Sequence, residues 1–495
     1  MTRDDAFYQA MLARDPRFDG KFFVGVKTTG IYCRPICPAK PKRQNVEFFP
    51  NRVAAEAAGY RPCLRCRPES APRSPVWIGK SAIVRRAIKA IHSLTAVDFD
   101  EEQFADRFGV TARHLRRVFV EEIGKTPQQL LLENRLNLAR NLLTETGLTV
   151  TEIAFGAGFN SIRRFNAAFR HRFRKSPSQM RRKPLQMGVP LQLRLPYRPP
   201  LDFNGLLHFY RTHQIGDLEH FTEHQMFRTI VKGDQVGEVS IADDAAQSCL
   251  LVEIDFPDMA VIHTIIAQVR SLFDLDSDPL VIANALEADP GIKKILKNHP
   301  GIRLPSGWDP FEVAIAAILG QLVSVERART LVADLMQLTG REIGNPALHR
   351  RAYPRPTIHL FPTPAELAAA DLTSLKSTGA RKATLREFSR QVAAGELSLE
   401  PTQHVDEFMK KVIRIKGIGA WTANAMAMKV MRHTDAFPGT DLILARAMEL
   451  HPREVIERMS PWRGYLAALL WREYAQTLKK PGSKGGKKAA NPPPK

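Results

Sequence analysis

Apolar residues recur at helical spacing over 405–415, where Val405, Phe408, Met409, Val412 and Ile413 share a face, and this pattern predicts a helix. A second helix is predicted over 421–431, rich in Ala and Met, both good helix formers. The tight turn Lys416-Gly417-Ile418-Gly419 joins them. Glycine has no Cβ, so such a turn lets its backbone press against another backbone. The first N–H groups of the second helix lack partners within the helix and suit a phosphate. The pattern fits a helix-hairpin-helix that grips a nucleic-acid strand without reading its bases. It also fits an ordinary corner in which glycine caps the first helix. Further up the chain the period shortens. Alternating segments at 227–231 and 249–254 predict strands, and the region from Leu191 to about Asp276 reads as a small antiparallel sheet with helices. From Pro279 onward the pattern is helical.

The run Phe104-Ala105-Asp106-Arg107-Phe108-Gly109-Val110-Thr111 predicts a helix, a turn glycine and an N-cap threonine. The helix that follows over 111–120 carries Arg113, His114, Arg116 and Arg117. The pattern returns at Ile153-Ala154-Phe155-Gly156-Ala157-Gly158-Phe159, ahead of a helix over 161–172 that exposes Arg163, Arg164, Asn166 and Arg170. Two helix-turn-helix units in tandem, each with an arginine-rich second helix, point to a DNA reader rather than a bundle corner.

A chain of 495 residues is too long for a single core. The expected fold class is multidomain α+β, mainly α. The expected divisions are 1–75, 80–183, 191–280 and 281–478, with a disordered basic tail at 479–495. Linkers are expected at Glu69-Ser70-Ala71-Pro72-Arg73-Ser74-Pro75 and over 183–200. Charge follows the division. Residues 1–190 hold 34 basic against 17 acidic side chains, a net of +17, whereas residues 191–495 hold 38 against 34, a net of +4. The front is therefore the electrostatic footprint for DNA, and the back must bind through its hairpin, aromatics and local cations. No apolar stretch reaches the length of a membrane span, so no membrane is expected as partner.

Four of the five cysteines fall between Cys33 and Cys66, as Cys33-x3-Cys37 and Cys63-x2-Cys66. Paired short spacings let each half clamp one side of a tetrahedral zinc ion. A disulfide framework is the alternative, but the polar opening Met1-Thr2-Arg3-Asp4-Asp5 has no apolar signal core. The expectation is one Zn²⁺ on Cys33, Cys37, Cys63 and Cys66 in a bacterial cytoplasm, nucleoid-associated. Cys249, alone in an apolar run, reads as a buried core thiol.

Several stretches carry resemblances. The run Ile415-Lys416-Gly417-Ile418-Gly419-Ala420-Trp421-Thr422-Ala423-Asn424 resembles the hairpin of the HhH-GPD superfamily of DNA base-excision glycosylases, and Phe437-Pro438-Gly439-Thr440-Asp441 resembles its Gly/Pro…Asp loop. Ile318-Leu319-Gly320-Gln321-Leu322-Val323-Ser324-Val325 and Pro461-Trp462-Arg463-Gly464-Tyr465 resemble the 3-methyladenine DNA glycosylase II (AlkA) branch. This resemblance implies an AlkA N-terminal α+β subdomain over 191–280, a glycosylase domain over 281–478, and Asp441 as catalytic carboxylate. A carboxylate beneath C1′ stabilises the oxocarbenium-like state of glycosidic cleavage. Asp441 also stands at an ordinary helix N-cap position, and both roles are compatible. The resemblance further implies Lys416, Gly417 and Gly419 as DNA contacts. Trp421, Trp471 and Phe209 would be aromatic walls for a cationic base, with core packing as the alternative. Leu322 would be the wedge that fills the gap left by an extruded base. The family's pocket tyrosines are replaced by Ala425 and Arg472. Relatives that also cut the backbone place a lysine where Trp421 stands, so a monofunctional glycosylase is expected. With no cysteine after Cys249, no iron–sulfur cluster is expected.

Val26-Lys27-Thr28-Thr29-Gly30-Ile31-Tyr32-Cys33-Arg34-Pro35 and Tyr60-Arg61-Pro62-Cys63-Leu64-Arg65-Cys66-Arg67-Pro68 resemble the N-terminal zinc domain of Ada-type regulators. That resemblance implies Cys33 as acceptor of a methyl group from a DNA methylphosphotriester. Methylation removes one negative charge and should strengthen DNA binding, with Arg34, Lys40, Lys42, Arg43, Arg61, Arg65 and Arg67 placed to reach phosphates. A purely structural zinc knuckle is the alternative. Residues 80–183 resemble AraC-type activator domains, and Gly124-Lys125-Thr126-Pro127-Gln128 fits their linker. The function expected is a glycosylase fused to an alkylation sensor and activator. The alternative is a regulator whose glycosylase-like half only holds DNA. Expected partners are damaged duplex, promoter DNA and RNA polymerase, with the chain a monomer. No Pro-Cys-His-Arg-type methyltransferase motif is present, so direct reversal of methylated guanine is not expected.

Overall fold

The computed structural model describes residues 3–15, 18–19, 21–50, 52–63, 66, 68, 82–93, 99–181, 190–258, 261–344, 357–401, 405–450 and 453–477. The expected linker at 69–75, the expected tail at 479–495, and Arg65 and Arg67 lie outside these residues.

The first unit holds α1 (Arg3–Leu12), β1 (Phe23–Val26), β2 (Ile31–Cys33), β3 (Val46–Phe49), α2 (Arg52–Ala57) and β4 (Arg61–Pro62). The sheet runs β3-β1-β2-β4. β1 is antiparallel to both neighbours, and β2 pairs parallel with β4, Ile31 opposite Arg61 and Tyr32 opposite Pro62. That pairing carries Cys33 and Cys63 off the ends of adjacent strands, with the Cys63 N–H donating to the Tyr32 carbonyl at 3.0 Å.

Seven helices follow: α3 (Ala82–Ser93), α4 (Glu101–Asp106), α5 (Ala112–Ile123), α6 (Pro127–Glu145), α7 (Val150–Gly156), α8 (Ile162–Phe173) and α9 (Pro177–Met180). Their starts are written in the sequence. Thr126, Thr149 and Ser176 each form a reciprocal capping box, and Asp100, Thr111 and Ser161 cap through their side chains. Leu115 and Phe119 of α5 fill one small core. Phe165, Phe169 and Phe173 of α8 belong to another, which continues without a break into the sheet that follows.

That sheet is five-stranded and antiparallel, ordered β5-β9-β8-β7-β6, from β5 (Leu191–Pro196), β6 (Glu219–Phe221), β7 (Gln225–Lys232), β8 (Gln235–Asp244) and β9 (Cys249–Asp255). Helices α10 (Phe203–Thr212) and α11 (Ile262–Leu272) accompany it. β5 shows the period of two, with Leu191, Leu193 and Leu195 buried and Gln192 and Arg194 exposed. It occupies part of the stretch expected as a linker over 183–200, because three alternating leucines have a sheet edge to cover. Cys249 is buried in β9, as its apolar neighbours suggested.

The remainder is helical: α12 (Pro279–Leu286), α13 (Pro290–Asn298), α14 (Pro310–Leu319), α15 (Val325–Thr339), α16 (Pro364–Ala369), α17 (Gly379–Ala393), α18 (Val405–Val412), α19 (Ala420–Lys429), α20 (Leu442–Leu450), α21 (Arg453–Arg458) and α22 (Arg463–Thr477). A two-stranded ribbon, β10 (Glu342–Gly344) with β11 (Thr357–His359), interrupts them and was not foreseen. α19 is central: its Ala423 and Met426 belong to one helical core, with Val430 just past its end, and Ala427 and Met428 belong to a second. Its residues are fixed from two sides.

The units are tied by buried charge. Glu56 of α2 accepts from Tyr32 at 2.6 Å, from Lys125 at 2.8 Å and from Arg172 at 2.6 Å. Lys125 and Arg172 also share Glu133 of α6. Arg198, fully buried, donates to the Asp19 carbonyl at 3.0 Å and so joins the first unit to the start of the sheet unit.

Candidate functional site

At the hairpin, Ile415 and Ile418 are buried plugs, while Lys416, Gly417 and Gly419 are exposed. Gly417 has φ +94°, and a Cβ there would sit 2.1 Å from Thr384 Oγ1. That hydroxyl donates to the Lys416 carbonyl at 2.9 Å and braces the turn on α17. Only glycine satisfies both the dihedral and the contact. Gly419 differs. Its φ is −94°, it is the N-cap of α19 with no side-chain cap, and nothing lies within 4 Å of where its Cβ would be. The start of α19 therefore presents N–H groups beside open space.

Asp441 sits one residue before α20 and caps it, its Oδ1 accepting from the N–H groups of Ile443 at 3.0 Å and Leu444 at 3.2 Å. The same carboxylate is gripped by two indoles. Trp471 Nε1 of α22 donates to Oδ1 at 3.1 Å, and Trp421 Nε1 of α19 donates to Oδ2 at 3.2 Å. One side chain thus caps α20 and accepts from both indoles. Phe209 of α10 joins the group through Lys429, whose Nζ lies 5.0 Å from the Phe209 ring centroid and 5.6 Å from that of Trp471. Desolvation lowers the Lys429 ammonium to about 8, while the Asp441 charge works the other way. His213 stacks on Phe209 at 4.1 Å. Arg472 is paired with Asp202 at 2.9 Å, and Ala425 is buried.

Trp421 stands beside the hairpin, and an amine, that of Lys429, reaches the Phe209 and Trp471 rings from two turns further along α19. The only hint in the sequence is a lone cation ending an Ala/Met run, and such a residue reads equally well as a solvated helix end.

Leu322 stands apart from this cluster, fully exposed, with φ +54°. Its predecessor Gln321 is anchored to the hairpin, Nε2 donating to the Gly417 carbonyl at 2.9 Å and to Thr422 Oγ1 at 2.7 Å. Arg381 of α17 donates to the Gln321 carbonyl from the other side. The turn therefore holds an apolar side chain in water at a backbone angle that costs energy.

In the first unit the sulfurs of Cys33, Cys37, Cys63 and Cys66 all lie within 4.8 Å of one another. Tetrahedral zinc with thiolate bonds of about 2.3 Å spaces its sulfurs by about 3.8 Å. Four soft donors converging in this way fit one Zn²⁺. Arg34 does not reach outward for a phosphate as expected. It is buried, and its guanidinium pairs with both oxygens of Asp19 while its backbone N–H donates to Cys66 Sγ at 3.3 Å. A charge beside four thiolates is stabilised best by an acid at its other end, and Asp19 is that acid. Lys40, Lys42 and Arg61 are exposed, and Arg43 is half-buried.

On α5, Arg113 is exposed, whereas Arg116 is paired with Glu101 at 2.6 Å and Arg117 with Glu121 at 3.1 Å. On α8, Arg163, Arg164 and Arg170 are exposed and Asn166 is half-buried. Arg172, at the inner face, belongs to the Glu56 cluster.

Three families match this chain: the metal binding domain of Ada over residues 6–69, a helix-turn-helix domain over 104–183 and the AlkA N-terminal domain over 192–309. A Mycobacterium tuberculosis protein described as "Probable bifunctional transcriptional activator/DNA repair enzyme AlkA" is 34% identical over 486 residues, 94% of this chain and 95% of the relative. The "DNA-3-methyladenine glycosylase 2" of Escherichia coli is 31% identical over 284 residues, 56% of this chain and 95% of that one. The "Bifunctional transcriptional activator/DNA repair enzyme Ada" of the same organism is 39% identical over 157 residues, 32% of this chain and 43% of its own length.

Proposed function

Because the chain belongs to the family of AlkA-type bifunctional transcriptional activators and DNA repair enzymes, we propose that it excises alkylated bases from duplex DNA and reports alkylation to a promoter. The observation that carries the enzymatic half is the grip of two indole N–H groups on the Asp441 carboxylate. Asp441 stabilises the positive charge that develops on the deoxyribose as the glycosidic bond breaks, and orients the attacking water. The indole donors hold its oxygens in place. Trp421, Trp471 and Phe209 take the cationic base, and attraction of cations to aromatic faces supports this. Leu322, anchored through Gln321, fills the vacated stack. Lys416, Gly417, Gly419 and the start of α19 hold a backbone phosphate.

The sensor half rests on Cys33. Its Sγ attacks the methyl carbon of a methylphosphotriester, an S–C bond forms, the C–O bond breaks, and a phosphodiester leaves. Bound zinc keeps the thiolates deprotonated. Three sulfurs have backbone support: Arg34 N–H on Cys66, and the backbone at Ala39 and Cys66 on Cys37 and Cys63 respectively. Cys33 is assigned the acceptor role by its place in the zinc-domain motif that matches the metal binding domain of Ada. α5 and α8 then read promoter DNA through Arg113, Arg163 and Arg164, with Arg116 and Arg117 turning from their glutamates to phosphates. Promoter-bound protein acts on RNA polymerase as a monomer, in the cytoplasm. The work divides along the chain as 1–75 methyl acceptor, 80–183 reader, and 191–280 with 281–478 glycosylase.

The test is base release from duplex containing 3-methyladenine or 7-methylguanine. No release, beside an active control enzyme, would falsify the enzymatic reading and leave a regulator that only holds DNA. Mass analysis after exposure to methylated DNA tests the sensor. One added methyl on Cys33 is expected, and a methyl elsewhere or none overturns that role.

A further inference from the structure

The cluster of side chains around Asp441 already contains a cation. Lys429 projects its ammonium toward the faces of Phe209 and Trp471, the surfaces assigned above to the base. Trp471 in turn holds the carboxylate. Amine and carboxylate thus approach one space, with the aromatic walls between them. For a base that is already cationic the ammonium is a handicap, since like charges brought close together repel. For an uncharged damaged purine it supplies what the leaving group lacks. Such a purine departs as an anion unless a ring nitrogen gains a proton.

We propose that Lys429 is the general acid that allows this site to release uncharged damaged purines, and that it sets the balance between neutral and cationic lesions. The inference rests on the glycosylase reading above. In the step, the C1′–N9 bond breaks and its electron pair stays on the base. A proton passes from Lys429 Nζ to a purine ring nitrogen. Water adds to C1′ and gives its proton to Asp441. Return of that proton from Asp441 to the Lys429 amine resets the pair. Lys429 is suited to this because desolvation brings its ammonium to about 8, near the working pH, where an acid donates most effectively. The other titratable groups facing it are few. His213, exposed and stacked on Phe209, is pushed down by desolvation first and then by the Lys429 charge, with His208 adding to the effect. Arg472 is occupied by Asp202.

The experiment uses the full chain with two duplexes, one containing hypoxanthine and one containing 7-methylguanine, under single-turnover conditions. Lys429→Met should lower the ratio of hypoxanthine to 7-methylguanine release by about 100-fold, within the usual range for loss of a general acid. Lys429→Arg keeps the charge but cannot give up a proton, and should lower that ratio as well. The unaltered protein offers a test without mutation. Its hypoxanthine release should fall about tenfold per pH unit above about 8, with 7-methylguanine release not following. An unchanged ratio in both variants overturns the proposal, as does parallel loss on both duplexes above pH 8. Trapping of a covalent protein–DNA adduct with borohydride also overturns it, because Lys429 would then be a nucleophile. Release of 7-methylguanine without any hypoxanthine sinks this inference alone, whereas release of neither base sinks the glycosylase reading beneath it.

Discussion

Trp421 Nε1 donates to Asp441 Oδ2 at 3.2 Å, so the ring beside the hairpin and the acid that caps α20 form one mechanical unit. Asp441→Asn keeps an oxygen for the cap, and Asn caps as well as Asp. It loses the negative charge. Base release should therefore drop by at least about 10²–10³-fold while DNA affinity stays close to wild type, and the melting temperature should fall modestly because the amide NH2 cannot accept from the Trp421 indole. Single-turnover release and a binding isotherm on the same duplex check this. Equal activity would mean that another carboxylate does the chemistry.

The two hairpin glycines should part company. Gly417→Ala must place a methyl against Thr384 at a φ that alanine resists, so it should destabilise the protein by about 2 kcal/mol or more. Gly419→Ala meets open space and should change stability by less than about 0.5 kcal/mol, yet weaken DNA binding where the backbone would approach. Thermal melts beside binding isotherms separate the effects.

Leu322 invites a trade. Leu322→Gly removes both the wedge and the strain of φ +54°. The protein should gain on the order of 1 kcal/mol of stability, the reverse of placing a side chain at a positive φ. Base release from duplex should slow, and release from single strands, which need no wedge, should slow less. Loss of stability instead would show that Leu322 packs against something.

The Glu56 cluster has a pH signature. Burial alone would raise its carboxyl, but the Arg172 and Lys125 charges outweigh burial and hold it at about 2. A depressed carboxyl contributes stability above its unfolded value and loses it as pH falls through the folded one. The docking of the first unit on α6 and α8 should thus persist to about pH 4.5 and fail between there and about 2. Hydrogen exchange at β2 and α8 would report it, rising together over that window. Glu56→Gln should bring the same rise at neutral pH.

Much of the site could be read from the chain because its parts are local. The hairpin, Asp441 and the two cysteine pairs each lie in a short run whose residue types admit few uses. Strands at 227–231 and 249–254 announced themselves by alternation and were found in β7 and β9. What escaped depends on distance. Lys429 acquires meaning only beside Phe209 and Trp471, which approach it from α10 and α22. Arg34 stands beside Cys33 with no acid near it in sequence, so nothing nearby foretold that Asp19 would claim it. Glu56, Lys125, Glu133 and Arg172 come from four segments, each an ordinary surface charge when seen alone. The β10–β11 ribbon has three residues a strand, too few for a period to emerge.

The aromatic residues of α8 and the leucines of β5 sit in one uninterrupted apolar cluster. Scissors placed at residue 190 would therefore not yield two tidy proteins. Each fragment would carry a raw oily wound, prone to clump, and the repair module would be hard to harvest by itself. In this chain alarm and remedy share one piece of masonry.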